Sequence, residues 1–196
     1  MTYQATNYDH LLGTEGFSNQ LLTNHFTLYQ GYVTNTNKLA DALGAMVKEG
    51  KTGTPEFAEM TRRFGWEFNG MRLHEYYFGN MKKGGSQLDK ASNFLKMIQS
   101  SFESYESWEK SFKGVGAMRG IGWVVLYHDS KGKRLFNAWI NEHDAGHLAG
   151  CTPILIMDVF EHAFLTDYGL KRADYITSFF KSLDWATIEK RISEVK

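Results

Sequence analysis

The sequence predicts an α+β fold, with an N-terminal long antiparallel helical hairpin followed by a C-terminal domain that has a three-stranded antiparallel sheet flanked by helices. Three observations lead to this prediction. Apolar residues recur at helical spacing through residues 19–77. Strand candidates rich in β-branched and aromatic residues lie within residues 122–157, and helices are predicted after them.

The first helix of the hairpin is predicted over residues 19–47, where apolar side chains recur every three or four positions. Residues 49–54 include two glycines and form a turn. Thr54 suits the N-cap of a second helix and Pro55 its first position, and helical spacing continues through Tyr77. Because the connection is short, we expect the two helices to pack antiparallel.

A charged, glycine-rich segment at residues 82–86 is the best candidate for a domain boundary. We expect a helical-hairpin domain over residues 1–83 and an α+β domain over residues 84–196. Short helices are predicted at the start of the second domain. The predicted strands are residues 122–127, 134–140 and 152–157, with a hairpin turn at residues 128–133, and helices follow from about Glu161.

Composition excludes several classes of protein. The 22 basic and 22 acidic residues cancel, which argues against nucleic-acid and acidic-membrane partners. The single cysteine, Cys151, excludes an internal disulfide and a cysteine-based zinc site. No apolar run is long enough to span a bilayer, and residues 1–10 lack the basic-then-apolar order of a signal peptide. We therefore expect a soluble cytoplasmic protein.

An acid and a histidine four residues apart, Asp158 and His162, lie in an otherwise apolar run, with Glu161 beside the histidine. Apolar segments normally exclude ionisable groups unless a partner compensates them. A bound metal ion would compensate both Asp158 and His162, so this run is the first candidate for a metal site.

Two further histidines, His25 and His74, lie on the two predicted hairpin helices, which can bring them together. For each alone, a hydrogen-bonded core histidine is the simpler interpretation. Together with Asp158 and His162 they make a set of three imidazoles and one carboxylate, which suits Fe, Mn or Zn.

The remaining histidines are weaker candidates for metal ligands. His10 and His128 lie in polar sequence and are expected to be solvated. His147 is expected to be an exposed loop residue. For His143, an exposed loop position and a place in the site are both open.

The run Asp158-Val159-Phe160-Glu161-His162-Ala163 resembles the Asp-x-Trp-Glu-His-Ala signature of the iron/manganese superoxide dismutases. Other blocks of the chain resemble the same family, and they occur in the family's order over nearly the whole sequence. These blocks lie around Tyr32, His74, Trp123, Arg172 and Trp185.

The resemblance implies an enzyme that converts superoxide to oxygen and hydrogen peroxide by alternate one-electron reduction and oxidation of a metal. It implies one Fe or Mn ion per subunit, with a slight preference for iron, in a site between the two domains. The implied ligands are His25, His74, Asp158 and His162. The choice between iron and manganese stays open, because the ligands are the same for both.

Two residues are implied to take part in proton supply. Tyr32 matches the gateway tyrosine between solvent and metal. Gly70, one turn before His74, offers no side chain, so the resemblance implies that His143 is the partner of the metal-bound solvent.

Aromatic residues are implied to line the pocket. Trp123 matches an aromatic wall, and Phe78 and Phe160 stand where tryptophans are usual. Tyr29 stands where many members of the family have a histidine beside the ligands.

The resemblance also implies contacts between subunits. Glu161 matches the acid that reaches across a dimer interface to the partner subunit's ligand histidine, and we expect a homodimer or a tetramer. Arg172 matches a basic residue near the substrate funnel, where it would steer superoxide.

Two further features depart from the family pattern. His25 and Tyr32 are seven residues apart, one fewer than usual, and we expect a local change in helix phase there. Leu165 replaces a common interface tyrosine. A diverged, non-enzymatic metal-binding member of the same fold is therefore an open alternative. A zinc hydrolase with the same ligands is another, with Glu161 as its base if that residue faces the metal.

Overall fold

The computed structural model describes residues 2–195, so Met1 and Lys196, the outer ends of the two predicted domains, lie outside the described residues. Its architecture is the α+β fold that the sequence predicts. Two long helices, α1 (Asn19–Lys48) and α2 (Pro55–Gly79), pack side by side as an antiparallel hairpin. No helix among residues 2–195 is both long and apolar enough to cross a membrane.

Both helices of the hairpin begin where their capping residues predict. The Ser18 hydroxyl accepts a hydrogen bond from the backbone N–H of Leu21 at the start of α1. The Thr54 hydroxyl does the same for Phe57 at the start of α2, and Pro55 occupies the first helical position. These caps pair donors that the first helical turn leaves free, and they fix where each helix starts.

The sheet has three antiparallel strands, in the order β2-β1-β3. They are β1 (Gly122–Asp129), β2 (Arg134–Asn141) and β3 (Thr152–Asp158). The central strand β1 is buried along most of its length. At one end of the sheet, Trp123 of β1 pairs with Asp158, the last residue of β3, so an indole and a carboxylate lie side by side.

The helices that flank the sheet supply most of the remaining core. Trp108 and Phe112, both fully buried, lie on a helix that packs against β1 and β2. A short 3-10 turn, Glu161–Ala163, follows β3. The flanking helices are α3 (Asn93–Phe102), α4 (Tyr105–Gly116), α5 (Leu165–Tyr168), α6 (Arg172–Lys181) and α7 (Trp185–Glu194).

Hydrogen bonds attach the end of α2 to the sheet. The Asn80 side-chain amide donates to the Ile156 carbonyl oxygen at 2.6 Å, and Arg191 of α7 donates to the Ile154 carbonyl oxygen at 2.8 Å. Asn80 is fully buried, so its bond replaces one that water would otherwise supply. The position of α2 relative to β3 is therefore fixed, along with the side chains that each of them carries toward the other.

The expectation that His128 is solvated is wrong. Strand β1 continues two residues beyond its predicted end, and His128 pairs with Leu135 of β2 and Thr152 of β3. Its side chain is consequently buried, whereas His10 is exposed as expected.

Candidate metal centre

The four candidate ligands come together in one cluster. His25 of α1, His74 of α2, Asp158 at the end of β3 and His162 in the 3-10 turn each offer an atom, and these atoms lie within 4.8 Å of one another. The hairpin thus supplies two imidazoles, and the segment that leaves the sheet supplies a carboxylate and the third imidazole.

The Asp158 carboxylate is the centre of this cluster. Its Oδ2 lies 3.2 Å from His25 Nε2, 3.7 Å from His74 Nε2 and 3.1 Å from His162 Nε2. Atoms that ligate one ion through bonds of about 2.1 Å lie about 3–4 Å apart. The distances from Asp158 Oδ2 to the three ring nitrogens are therefore those expected of ligands around a single ion.

The predicted change of helix phase between His25 and Tyr32 is wrong. Helix α1 is an uninterrupted α-helix across both residues, and His25 still lies in the cluster. Seven residues are close to two full turns of an α-helix, so His25 and Tyr32 already share one face. The shorter spacing brings both side chains to the site without distortion.

His74 is oriented as a metal ligand should be. Its Nδ1–H donates to the Gly70 carbonyl oxygen at 2.6 Å, which leaves Nε2 without a proton. This Nε2 is buried and has no hydrogen-bond partner among the described residues. Burial, with His25 close by, holds the pKa of His74 well below its usual range, so the imidazole is neutral. An unpaired, buried lone pair facing a carboxylate fits a bound cation.

Asp158 is held by its backbone as well as by the histidines. Its Oδ1 accepts from the Phe160 backbone N–H at 2.8 Å, and its carbonyl oxygen accepts from the Tyr175 hydroxyl at 2.6 Å. Burial alone would raise the pKa of the Asp158 carboxyl, but His162 and His25 outweigh it and hold that pKa far below its usual range. Asp158 is therefore ionised, and its Oδ2 faces the three imidazoles.

The fully buried imidazole of His143 lies between Trp123 and Tyr32. Trp123 Nε1–H donates to His143 Nδ1 at 3.0 Å, and His143 Nε2 lies 2.8 Å from the Tyr32 hydroxyl. Because Nδ1 accepts, the neutral ring carries its proton on Nε2 and donates it to Tyr32. Burial lowers the pKa of His143 to about 4 and raises that of Tyr32, so both groups are uncharged near neutral pH.

Aromatic rings enclose the cluster. Trp123 meets His74 edge-on with ring centroids 4.9 Å apart, and Phe78 meets His25 in the same way at 4.9 Å. Phe160 stacks on His143 at 4.9 Å and on His162 at 5.1 Å.

Tyr29 turns its hydroxyl away from the candidate ligands. The hydroxyl lies 3.1 Å from Glu75 Oε1 and accepts from the Thr6 backbone N–H at 3.0 Å. Its ring packs against Phe78 at 6.1 Å, so it supports the wall of the cluster from behind.

Glu161 and Arg172 lie together in a surface groove beside the cluster, with Leu165 and Leu170. The Arg172 guanidinium donates to the carbonyl oxygens of Met118 and Gly120, at 2.6 and 2.9 Å. Glu161 is exposed and makes no side-chain hydrogen bond among the residues described.

The expectation that His147 is an exposed loop residue is wrong. The residue is half-buried, and both of its ring nitrogens lie at hydrogen-bond distance from a partner, one of them Tyr127. Sequence reasoning also assigned no role to Tyr175, which anchors the Asp158 backbone. The only signal for Tyr175 in the sequence is its place in the family-like block that follows Arg172. Its hydrogen bond to Asp158 joins residues 17 apart in the chain, and such a separation produces no periodic pattern.

A helical hairpin and a small sheet together present three imidazoles and one carboxylate that could hold one metal ion, which is the arrangement of a mononuclear metalloprotein. The family model "Iron/manganese superoxide dismutases, C-terminal domain" matches residues 90–191. A superoxide dismutase of Haloferax volcanii named for manganese is 35% identical over 170 residues, which cover 86% of this chain and 83% of that protein. The chain belongs to the iron/manganese superoxide dismutase family.

Its relatives carry either metal in their names. A superoxide dismutase of Aquifex pyrophilus named for iron is 31% identical over 193 residues, which cover 95% of this chain and 90% of that protein. Another from Saccharolobus solfataricus, also named for iron, is 31% identical over 169 residues, 85% of this chain and 80% of that protein. The cofactor class is accordingly one Fe or Mn ion, which the donor set accommodates.

Proposed function

We propose that this protein is a superoxide dismutase, which converts two superoxide anions and two protons to one oxygen molecule and one hydrogen peroxide. The observation that carries the proposal is the buried cluster of His25, His74, Asp158 and His162 around one carboxylate oxygen, in a chain of this family. We propose these four residues as the ligands. A bound Fe or Mn ion would supply the one-electron redox chemistry.

The residues around the ligands would govern proton supply. His143 donates its Nε2 proton to the Tyr32 hydroxyl oxygen, so the Tyr32 hydroxyl proton stays available to another acceptor. Burial keeps the phenol protonated, because it raises the Tyr32 pKa. Both ring nitrogens of His143 are engaged, one with Trp123 and one with Tyr32, so we propose that the implied role of His143 as partner of the metal-bound solvent is carried out through Tyr32. In this proposal Tyr32 donates the proton and His143 holds its oxygen in place.

The aromatic wall would restrict what reaches the ligands. Trp123, Phe78 and Phe160 are buried and contact the rings of His74, His25 and His162. Such a wall excludes bulk water and larger solutes, which favours a small anion such as superoxide. Arg172 would add positive charge at the nearby groove, and a steering role for it is part of the proposal.

We propose that the protein forms a homodimer through the groove of Glu161. Leu165 and Leu170 beside it are 47% and 95% exposed, which is high for leucine side chains, and Met118 adds a third exposed apolar residue at 48%. The His162 side chain is 28% exposed, so Glu161 of a second copy has access to it. Sedimentation velocity on the wild type and on Glu161→Gln tests this, and a monomeric wild type at micromolar concentration overturns it. A tetramer would sediment faster than the dimer.

Two sequence predictions remain part of the proposal. We propose a division into a hairpin domain at residues 1–83 and an α+β domain at residues 84–196, with the metal between them. It is supported by the origin of the ligands, two on the hairpin helices and two after the sheet. A cytoplasmic location is a prediction that cell fractionation can test.

The test of the proposed function is activity together with metal content. Protein reconstituted separately with Fe and with Mn is assayed for dismutation, and metal is measured by elemental analysis. We expect about one ion per subunit and activity with at least one metal. His74→Ala should lose metal and activity and keep its circular dichroism. A loaded but inactive protein would instead indicate the non-enzymatic metal-binding member that the sequence leaves open.

A further inference from the structure

Two histidines on the loop between β2 and β3 are held by two aromatic residues of the central strand. Trp123 and Tyr127 are four residues apart on β1, so their side chains point to the same face of the sheet. Trp123 bonds the ring of His143, and Tyr127 bonds the ring of His147, which is four residues further along the loop.

The hydrogen bonds of His147 lead back to His143. A carbonyl oxygen only accepts, so the 2.8 Å contact between His147 Nε2 and the His143 carbonyl oxygen is a bond donated by His147 Nε2–H. In the neutral ring Nδ1 then accepts, and the Tyr127 hydroxyl donates to it at 2.8 Å. Tyr127 is almost fully buried, so its hydroxyl has little access to water as a replacement partner.

His143 is therefore held at two points. Its side chain accepts from Trp123, and its backbone carbonyl accepts from His147, which is itself fixed by Tyr127. The loop needs such support, since Glu142 just before His143 has a left-handed backbone with φ 51°. The contact that depends on this support is the 2.8 Å bond from His143 Nε2 to Tyr32.

We propose that Tyr127 and His147 are positioning residues that hold His143 where its imidazole bonds the Tyr32 hydroxyl. Neither residue touches the candidate ligands, and they act through the loop backbone. The inference rests on the proposed function only for its effect on catalysis. The holding of the loop stands on the hydrogen bonds themselves.

Three variants separate positioning from mere packing. Tyr127→Phe removes one hydroxyl and keeps the ring, and His147→Ala removes the imidazole. His147→Gln keeps an N–H donor that can reach the His143 carbonyl oxygen. Tyr105→Phe is the matched control, because it removes the same hydroxyl from a tyrosine elsewhere in the protein. Tyr105 lies on α4, where its ring packs on Trp108 and Trp185.

The first measurement is amide hydrogen exchange in the metal-loaded proteins. We expect exchange at residues 143–147 to accelerate by about 2- to 10-fold in Tyr127→Phe and His147→Ala, the equivalent of one hydrogen bond. His147→Gln should restore most of the protection, and Tyr105→Phe should leave it unchanged. Unaltered exchange in both Tyr127→Phe and His147→Ala overturns the proposal.

The second measurement is the effect on the site. We expect the dismutation rate per bound metal to fall by about the same factor, and the reduction potential of the metal to shift, with recovery of both in His147→Gln. Faster loop exchange with an unchanged rate and potential means a structural role alone and also overturns the proposal. If the wild type is itself inactive, the proposed function fails, and exchange and potential still decide the positioning role.

Discussion

Gly70 lies directly against the ring of Tyr32. A Cβ at Gly70 would stand 2.6 Å from Tyr32 Cδ1, closer than such atoms approach in folded proteins. The absence of a side chain at Gly70 therefore leaves the space that the Tyr32 ring occupies.

We predict that Gly70→Ala displaces Tyr32. Alanine normally stabilises a helix relative to glycine by about 1 kcal/mol, but here the added methyl must push the phenol away from His143. The dismutation rate should fall at least ~10-fold and stability should not rise. Gly65→Ala is the control: Gly65 lies on the same helix as Gly70, and a Cβ there would meet no atom within 4 Å. That variant should be more stable and fully active. A fully active Gly70→Ala would contradict the prediction.

Metal removal should lower stability through the buried cluster. An ion that binds only the folded chain stabilises it by about 2.7 kcal/mol at a concentration 100 times its Kd. We expect the midpoint of thermal unfolding to drop when the wild type is stripped by a chelator and to recover when Fe or Mn is returned. His74→Ala, which lacks the unpaired Nε2, should show little difference between the two conditions. An equal metal-dependent shift in that variant would count against the ligand set.

Tyr175→Phe should weaken the support of Asp158. The substitution removes the hydroxyl that donates to the buried Asp158 carbonyl oxygen at 2.6 Å and leaves that oxygen unpaired. We expect a loss of about 1–3 kcal/mol in the free energy of unfolding, measured with urea. Metal content should stay near one per subunit, because no proposed ligand is removed. Tyr105→Phe is again the control, and a stability loss of the same size there would show that the effect is not specific.

Stability should fall as the medium becomes acidic, in part through His128. Burial lowers the pKa of His128, so below a pH of about 6.5 the unfolded chain binds a proton that the folded chain does not. The free energy of unfolding therefore decreases as pH falls toward the folded pKa. In His128→Leu this contribution is absent, and its unfolding free energy should fall less steeply between about pH 7.5 and 5 than that of the wild type. Parallel curves for the two proteins would exclude the effect. His10→Ala, at an exposed position, should follow the wild type.

The sequence predicted much of the fold because its signals are local. Thr54 and Pro55 begin α2 as their capping chemistry requires, and β1 starts at the predicted residue. The strand's end was missed because His128 and Asp129 have turn-like composition, yet pairing with both neighbouring strands extends it over them.

The site was predictable where residue type alone carries the chemistry. Three histidines and an acid suggested a metal, and the structure brings them together. The roles of Tyr175 and His147 are set by hydrogen bonds to backbone carbonyl oxygens. Any residue can offer such an oxygen, so the sequence holds no mark of which one is used.

The distance in sequence between the candidate ligands has a consequence for how the protein acquires its ion. His25 and Asp158 are 133 residues apart, so their meeting closes a loop that spans about two thirds of the chain. Closing such a loop costs conformational entropy, so the unfolded chain does not hold these side chains together. The four donors therefore come together only when the hairpin and the sheet have docked. The ion that a given molecule carries should then depend on the supply of Fe and Mn in the cell at the time of folding. The same polypeptide made in iron-rich and in manganese-rich cultures should differ in its metal accordingly.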